Sequence, residues 1–140
     1  MAATDKEIKE RLINLAIEAR KHSYSPYSKY PVGAAVLAES GRTYTGCNIE
    51  NSSFGLTNCA ERTAIFKAVS DGEKKILAIA IAAKSSTPCG ACRQVMTEFA
   101  SASMPIFLVN MDEEKGTSEI IETTLGDLLP LSFNKDEAGL

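Results

Sequence analysis

The alternation of apolar and polar residues predicts that the chain begins with a helix and continues with a β-hairpin. Residues 5–21 carry apolar side chains at helical spacing, and Thr4 with Glu7 is typical of a capping box. A turn-rich connection with two prolines follows. Residues 32–38 and 43–49 are short, apolar and rich in β-formers, with a turn signal between them. We expect these two segments to pair as neighbouring strands.

The rest of the chain alternates between helical and strand patterns. Asn58 is the expected N-cap of a helix over 59–70, and Pro88 is expected just inside a second helix that ends near residue 101. Strands are predicted over 75–83, 106–110 and 118–123, and a short helix is predicted over 125–129. The tail after Pro130 is polar apart from Phe133.

This order of elements predicts an α/β domain of three layers, in which helices cover a mixed sheet of five strands. The alternating helices and strands in the middle of the chain predict parallel neighbours there. A chain of 140 residues is expected to form one domain over 1–140, with a polar tail from about residue 134.

The charge balance favours a small-molecule partner. Fifteen basic and eighteen acidic residues give a formal charge of −3, and the sequence shows no basic patch of the kind that binds nucleic acid. The beginning of the chain is charged rather than apolar, and the longest aliphatic run, 76–83, is too short to span a bilayer. We therefore expect a cytoplasmic protein that binds neither nucleic acid nor membrane.

Three of the four cysteines have the spacing of a metal site. Cys89 and Cys92 are three positions apart, so on a helix they share a face and can bind one ion. Cys59 is the natural third ligand because it also begins a predicted helix, where backbone N–H groups and the helix dipole stabilise a thiolate. In the cytoplasm clustered thiols stay reduced, which favours a zinc ion over disulfides.

Other interpretations of the cysteines remain open at this point. Cys47 could close a structural site of four cysteines, but it lies inside a strand pattern, lacks a C-x-x-C partner and needs no further role than that of a small buried residue, which argues against this site. Cys89 and Cys92 could instead form a redox dithiol or pack in the core. Neither of these two alternatives explains why an acid stands so close to Cys59.

Glu61 and Arg62 are the candidates for chemistry beside the metal. Glu61 is two positions after Cys59, so it can lie near the ion without replacing a ligand and can move protons there. Zn²⁺ with three thiolates carries a net charge of −1, which weakens its effect on water. Arg62 can face the sulfur atoms and withdraw part of that charge through hydrogen bonds. A carboxylate favoured by the helix dipole and a solvated arginine are the structural alternatives.

These motifs resemble a known family. Cys59-Ala60-Glu61, followed by Pro88-Cys89-Gly90-Ala91-Cys92, is similar to the zinc deaminase signature. The likeness to the small homotetrameric cytidine deaminases covers nearly the whole chain. It includes the segments 26–30, 32–35, 46–51 and 57–66.

The resemblance implies a role for each residue of the site. Cys59, Cys89 and Cys92 would be the ligands of one zinc ion per subunit, and Glu61 would be the proton shuttle. The remaining implied contacts are with the nucleoside: Asn48 and Glu50 to the ribose hydroxyls, the Ala60 backbone to the amide edge of the base, Tyr30 along the pyrimidine, and Phe133 into a neighbouring subunit's pocket. The family often has Phe at the position of Tyr30 and Tyr at the position of Phe54.

The implied reaction is hydrolytic deamination of cytidine and deoxycytidine to uridine and deoxyuridine, with release of ammonia, as in pyrimidine salvage. Three alternatives compete with this reaction. A deaminase of a nucleoside antibiotic such as blasticidin S fits the Asn48/Glu50 pair less well, and a polynucleotide editor fits the acidic balance poorly. A zinc-stabilised binding module without catalysis is the alternative from a different class.

Overall fold

The computed structural model describes residues 4–140 and contains the predicted alternation of helices and strands. A 3₁₀ turn, Phe54–Leu56, lies in the connection between the second strand and the second helix. The elements in chain order are α1 (Asp5–Arg20), β1 (Gly33–Ala38), β2 (Thr43–Cys47), α2 (Ala60–Ser70), β3 (Ile76–Ala83), α3 (Gly90–Phe99), β4 (Pro105–Asp112), β5 (Thr117–Thr124), α4 (Leu125–Leu128) and α5 (Lys135–Ala138).

The five strands form one mixed sheet in the order β2-β1-β3-β4-β5. The predicted hairpin is present, since β1 pairs with β2 in antiparallel register. The strand β1 also pairs antiparallel with β3, so the connection through α2 places β3 on the far side of β1. The pair β3 and β4 is parallel, as the alternating pattern predicts for the middle of the chain, and β5 returns antiparallel at the edge.

Helices cover both faces of the sheet, which confirms the prediction of three layers. On one face, α1 packs against alanines of the central strands, including Ala35, Ala78 and Ala80. On the other face, α2 and α3 pack against larger side chains such as Ile79 and Ile81. Because successive residues of a strand point to opposite faces, the Ile/Ala alternation of β3 produces this division directly.

Two glycines allow helices to lie very close to the sheet. A Cβ atom at Gly33 would lie 2.1 Å from the carbonyl oxygen of Ala16 in α1. A Cβ atom at Gly46 would lie 2.5 Å from the backbone nitrogen of Ala64 and 2.8 Å from the carbonyl oxygen of Ala60. Gly46 therefore fixes how closely the first turn of α2, which carries Glu61, approaches β2.

The starts of the two central helices differ from the predictions by one residue or more. Cys59 is the N-cap of α2, where Asn58 was expected. Asn58 is held in an antiparallel bridge with Ile49, and its side chain donates a hydrogen bond to Thr63 instead. Cys89 is the N-cap of α3, so Pro88 lies before the helix rather than inside it. In both helices the N-cap position belongs to a cysteine of the expected metal site.

The polar tail contains a short helix that the apolar pattern did not indicate. The side chain of Asn134 caps α5 by accepting a hydrogen bond from the backbone of Glu137, and Gly139 ends the helix with a positive φ of 74°. The other boundaries agree with the sequence predictions to within a few residues, and the capping box of Thr4 and Glu7 is present. Among residues 4–140, no helix is both long and apolar enough to cross a membrane.

Candidate metal centre and active site

The metal centre is built from the beginnings of α2 and α3. Cys59 and Cys89 both have extended backbone conformations at their N-cap positions, with φ near −70°. Neither side chain caps its own helix, so both thiols are available to meet each other. Cys92, in the first turn of α3, is buried and turns toward the same point.

The three sulfur atoms fit a zinc ion. They lie within 4.8 Å of one another, with 3.9 Å between Cys59 and Cys89 and 3.5 Å between Cys89 and Cys92. Tetrahedral zinc with Zn–S bonds of about 2.3 Å requires sulfur atoms about 3.8 Å apart. Cys47 is not a member of the cluster, which leaves three donors from the described chain and an open fourth position.

The local electrostatics favour a thiolate at Cys59. Its pKa falls to about 5 because the Cys92 thiol donates a hydrogen bond to it and because Arg62 lies beside it, although partial burial opposes the shift. The pKa of Cys92 is raised because its thiol donates a hydrogen bond to the Cys59 sulfur and because the side chain is buried. One thiol of the cluster is therefore ready to bind a cation.

Arg62 contacts the cluster of three cysteines, as its spacing from Cys59 predicts. Its Nη2 atom donates to Cys59 Sγ at 3.4 Å. Its Nε atom is buried and has no hydrogen-bond partner within residues 4–140. A guanidinium group in this position compensates part of the negative charge that three thiolates bring to one site.

Glu61 is a buried carboxyl group next to the sulfur cluster. It occupies the first turn of α2 and is only 4% exposed. Burial raises its pKa, and the negative charge of Cys59 raises it further, while the backbone amide and Arg62 partly oppose the shift. A carboxyl group whose pKa is raised in this way holds a proton more readily than an exposed one, which suits a group that must both accept and return a proton.

Asn48 and Glu50 lie in the connection that leads from β2 to α2. Asn48 Oδ1 accepts a hydrogen bond from the Val32 backbone at 2.9 Å, and its Nδ2 donates to the Tyr30 carbonyl oxygen at 2.8 Å. Glu50 accepts hydrogen bonds from the backbone of Tyr27 and Ser28 at 2.9 and 3.1 Å, and also from the Ser28 hydroxyl. Both side chains thus support the loop over residues 23–31.

This connection is fixed beside the metal centre. The backbone of Ile49 pairs with that of Asn58 through two hydrogen bonds of 2.9 Å, and Asn58 directly precedes Cys59. The pKa of Glu50 is lowered, chiefly by the hydrogen bond from the Ser28 hydroxyl. A charged acceptor therefore stands at this side of the site at neutral pH.

The other residues expected to contact substrate have more varied surroundings. Ala60 is buried, and as the first residue of α2 its N–H group has no partner within the helix. The Tyr30 hydroxyl binds the Ser85 backbone. Phe133 as a whole residue is 68% exposed, and Phe54, also exposed, packs its ring against Tyr27 at 5.6 Å between centroids.

Two residues that the sequence analysis did not single out connect the site to the tail. Arg93 donates to the carbonyl oxygens of Pro88 and Leu128, which ties the beginning of α3 to the end of α4. Gln94 donates to the Phe133 carbonyl oxygen at 2.9 Å. Their position immediately after Cys92 could have identified them in the sequence, because polar residues near the metal ligands of a helix often form hydrogen bonds that fix the neighbouring backbone.

Comparisons with known proteins agree with this geometry. Residues 6–108 match the model of the cytidine and deoxycytidylate deaminase zinc-binding region. The cytidine deaminase of Sporosarcina psychrophila is 54% identical over 91% of this chain and 93% of its own length. The crystal structure of the cytidine deaminase from Burkholderia pseudomallei superposes with a TM-score of 0.81 and 43% identity, covering 89% of this chain and 98% of that one. For the Mycobacterium tuberculosis cytidine deaminase the TM-score is 0.75 at 35% identity, covering 94% and 99%.

A mixed sheet that presents two helix starts with clustered thiols and a buried acid defines a zinc-centred enzyme of the α/β class. The chain belongs to the cytidine and deoxycytidylate deaminase family.

Proposed function

We infer that this protein is a zinc-dependent cytidine deaminase, which hydrolyses cytidine and deoxycytidine to uridine and deoxyuridine and releases ammonia. The observation that carries this inference is the meeting of Cys59, Cys89 and Cys92 beside the buried carboxyl group of Glu61. The relatives that share the fold at 35 to 54% identity are cytidine deaminases, which supports the same reaction here. Pyrimidine salvage is the corresponding role.

The three cysteines would hold the zinc ion, which when bound supplies a Lewis acid that makes water nucleophilic near neutral pH. Glu61 would accept a proton from the attacking water and deliver it to N3 of the pyrimidine. The water oxygen adds at C4 as a hydroxyl group. Glu61 then takes the proton of this hydroxyl group and transfers it to the amino group, so that the C4–N bond breaks, ammonia leaves and the C4 carbonyl group forms. The raised pKa of Glu61 supports this alternation between base and acid.

The nucleoside would be held by the residues around the metal. The ribose hydroxyls would meet Asn48 and Glu50, two polar side chains in the connection that runs beside the metal centre. The Ala60 backbone would bind the amide edge of the base, and the Tyr30 ring would line it. The exposed ring of Phe133 suits insertion into the pocket of a neighbouring subunit in a homotetramer. Thiols that must stay reduced favour the cytoplasm.

Steady-state turnover on a nucleoside panel tests this function. Zinc-loaded protein should convert cytidine and deoxycytidine with equimolar release of ammonia, and a chelator should abolish the conversion. Blasticidin S and a cytidine-containing oligonucleotide should react much more slowly, because the proposed sugar contacts fit a nucleoside whose sugar is neither modified nor esterified with phosphate. A zinc-loaded sample that releases no ammonia from any of these compounds would instead indicate a binding module without catalysis.

A further inference from the structure

The segment between β3 and Cys89 is held by two side chains from other parts of the fold. Ser85 and Ser86 lie four and three positions before this metal-site cysteine. Ser86 is polar but only 2% exposed, so its backbone and hydroxyl groups need partners inside the protein. Tyr30 binds the first of these serines and Asn110 binds the second.

The Tyr30 hydroxyl binds both backbone groups of one residue. It donates to the Ser85 carbonyl oxygen at 2.7 Å and accepts from the Ser85 N–H group at 2.6 Å. A phenylalanine ring at this position could line the pyrimidine equally well but could form neither bond. The hydroxyl group therefore has a function separate from that of the ring.

Asn110 makes the corresponding contacts with the next residue. It lies in β4, where its backbone pairs in register with Ala83 at the end of β3. Its Oδ1 atom accepts from the Ser86 N–H group at 2.9 Å and from the Ser86 hydroxyl at 2.8 Å. Both bonds end on the same oxygen acceptor. An aspartate in place of Asn110 could therefore keep them, whereas an apolar residue of similar size could not.

Packing alone does not fix this segment. Tyr30 and Asn110 line an open pocket of about 800 Å³, together with Lys84 and residues of the β4–β5 turn. Ser85 and Lys84 are exposed on this side. With free space beside it, the Ser85–Ser86 part of the segment is held by the four hydrogen bonds of Tyr30 and Asn110, while Arg93 binds the carbonyl oxygen of Pro88 directly before Cys89.

Tyr30 also connects the segment to the sugar side of the proposed site. Its carbonyl oxygen accepts a hydrogen bond from Asn48, and its N–H group donates to the Ser28 hydroxyl, which in turn binds Glu50. A continuous series of hydrogen bonds thus runs from the Asn48/Glu50 pair through Tyr30 to Ser85, close to Cys89.

We propose that Tyr30 and Asn110 are positioning residues for the metal centre, and that the Tyr30 hydroxyl couples the sugar-binding loop to the segment that delivers Cys89. Neither group touches the reacting atoms. They act by holding Ser85 and Ser86, and so the Cys89 thiol, at the distance at which three sulfur atoms enclose one ion. The proposal rests on the proposed function for its kinetic consequences, but not for its consequences on metal retention.

The test compares Tyr30→Phe with Tyr44→Phe in the zinc-loaded protein. Tyr44 loses a hydroxyl hydrogen bond to Asp71 at the far end of α2, so it controls for loss of stability alone. Tyr30→Phe should speed zinc release to excess chelator about tenfold, the order of effect expected for the loss of two hydrogen bonds of modest net strength. It should lower kcat by a similar factor and change KM less than twofold. Tyr44→Phe should leave both rates within twofold of the original protein.

A second pair of variants tests Asn110 in the same assay. Asn110→Leu should speed zinc release about tenfold, whereas Asn110→Asp, which keeps the oxygen acceptor, should stay within twofold. If Asn110→Leu does not fold, Tyr30→Phe and Asn110→Asp still decide the matter.

Zinc release from Tyr30→Phe equal to that from Tyr44→Phe would overturn the proposal, as would an equal loss in Asn110→Asp and Asn110→Leu. The two proposals can fail separately. If the original protein does not turn over cytidine but Tyr30→Phe still releases zinc faster than Tyr44→Phe, the proposed function is refuted and the positioning role stands.

Discussion

The beginnings of α2 and α3 are built on the same plan but have different surroundings and different side chains. Each helix follows a cysteine at its N-cap, and each contributes to one metal centre. The second helical residue is Glu61 in α2 and Ala91 in α3, and the third is Arg62 in α2 and Cys92 in α3. The start of α2 is buried against β2, whereas Cys89, Gly90 and Ala91 are exposed.

This difference shows how the two helices divide the work of the site. The beginning of α3 supplies two thiols, and its Arg93 binds the carbonyl oxygens of Pro88 and Leu128 rather than a sulfur atom, so it serves to bind the metal. The beginning of α2 supplies one thiol, a buried acid and a cation, so we propose that it combines metal binding with proton transfer and charge compensation. Burial matters for this second role because it raises the pKa of Glu61.

Removing the acid from α2 should produce the largest effect. In Glu61→Gln the side chain keeps its shape but can no longer exchange a proton, so turnover should fall by about 10² to 10⁴-fold. Zinc content should remain at one ion per chain, because all three thiols are still present. The measurement is ammonia release in single-turnover experiments, together with metal analysis of the same sample.

The control for this change is Glu98→Gln on the outer surface of α3, where Glu98 pairs with Lys135. It should have turnover close to that of the original protein. Near-normal turnover in Glu61→Gln would mean that the two helix starts do not differ in their chemistry.

The close contact between α2 and β2 should give the next largest effect. In Gly46→Ala the new methyl group would meet backbone atoms at 2.5 and 2.8 Å, and backbone cannot yield as a flexible side chain can. We expect a loss of about 1–3 kcal/mol in the free energy of unfolding. Chemical denaturation measures it.

Gly90→Ala is the matched change at the start of α3, where a Cβ atom would meet nothing within 4 Å. It should be neutral or slightly stabilising, since alanine is the better helix former. Equal effects of the two substitutions would show that α2 is not held more tightly than α3.

The sequence predicted the fold and the chemical groups of the site better than it predicted the helix caps and hydrogen bonds that hold those groups in place. Periodicity located the helices and strands because the Ile/Ala alternation of β3 and the apolar spacing of α1 are local properties. The cysteine spacing predicted the metal cluster because two of the thiols lie on one helix turn. The predicted N-cap of α2 was wrong because Asn58 pairs with Ile49, a residue nine positions away. Local propensity contains no information on that pairing.

The contacts of Tyr30 and Asn110 were hidden from the sequence for the same reason. Tyr30 is separated from Ser85 by 55 positions, and Asn110 is separated from Ser86 by 24. Only the packing of the sheet brings these residues together. The short helix α5 was missed although Asn134 and Gly139 are ordinary capping residues, because no apolar stripe accompanies them.

Removing the cation from α2 should have a moderate effect. Arg62→Ala leaves the thiolate charge of the cluster without its hydrogen-bond donor, so we expect about a tenfold loss in metal retention or turnover while the fold persists. Zinc release to a chelator and kcat measure the two effects. The exposed Arg42, which pairs with Asp71, gives the control Arg42→Ala. Full activity of Arg62→Ala with unchanged zinc content would remove the charge-compensating role from α2.

The connections that lead into the two helices differ as well, and acid should reveal the difference with the smallest effect. The connection into α2 contains the carboxylate of Glu50 as a hydrogen-bond acceptor, whereas Ser85 and Ser86 in the connection into α3 are held by neutral groups of Tyr30 and Asn110. Because folding lowers the pKa of Glu50, its stabilising contribution is complete above the ordinary value of 4.5 and is lost as the pH falls through the lowered value. Glu50→Gln should therefore lose stability at neutral pH but show a shallower loss below pH 4.5.

Unfolding free energies of the two proteins, measured across this range with zinc in excess, give the difference directly, since the acid sensitivity of the thiolates is common to both. Glu114→Gln, in the exposed turn before β5, should follow the original protein at every pH. A difference between Glu50→Gln and the original protein that stays constant down to strongly acid pH would show that the Glu50 charge does not hold the connection into α2. The charged groups that distinguish α2 from α3 would then lie only in the first turns of the helices, and not in the connections that lead into them.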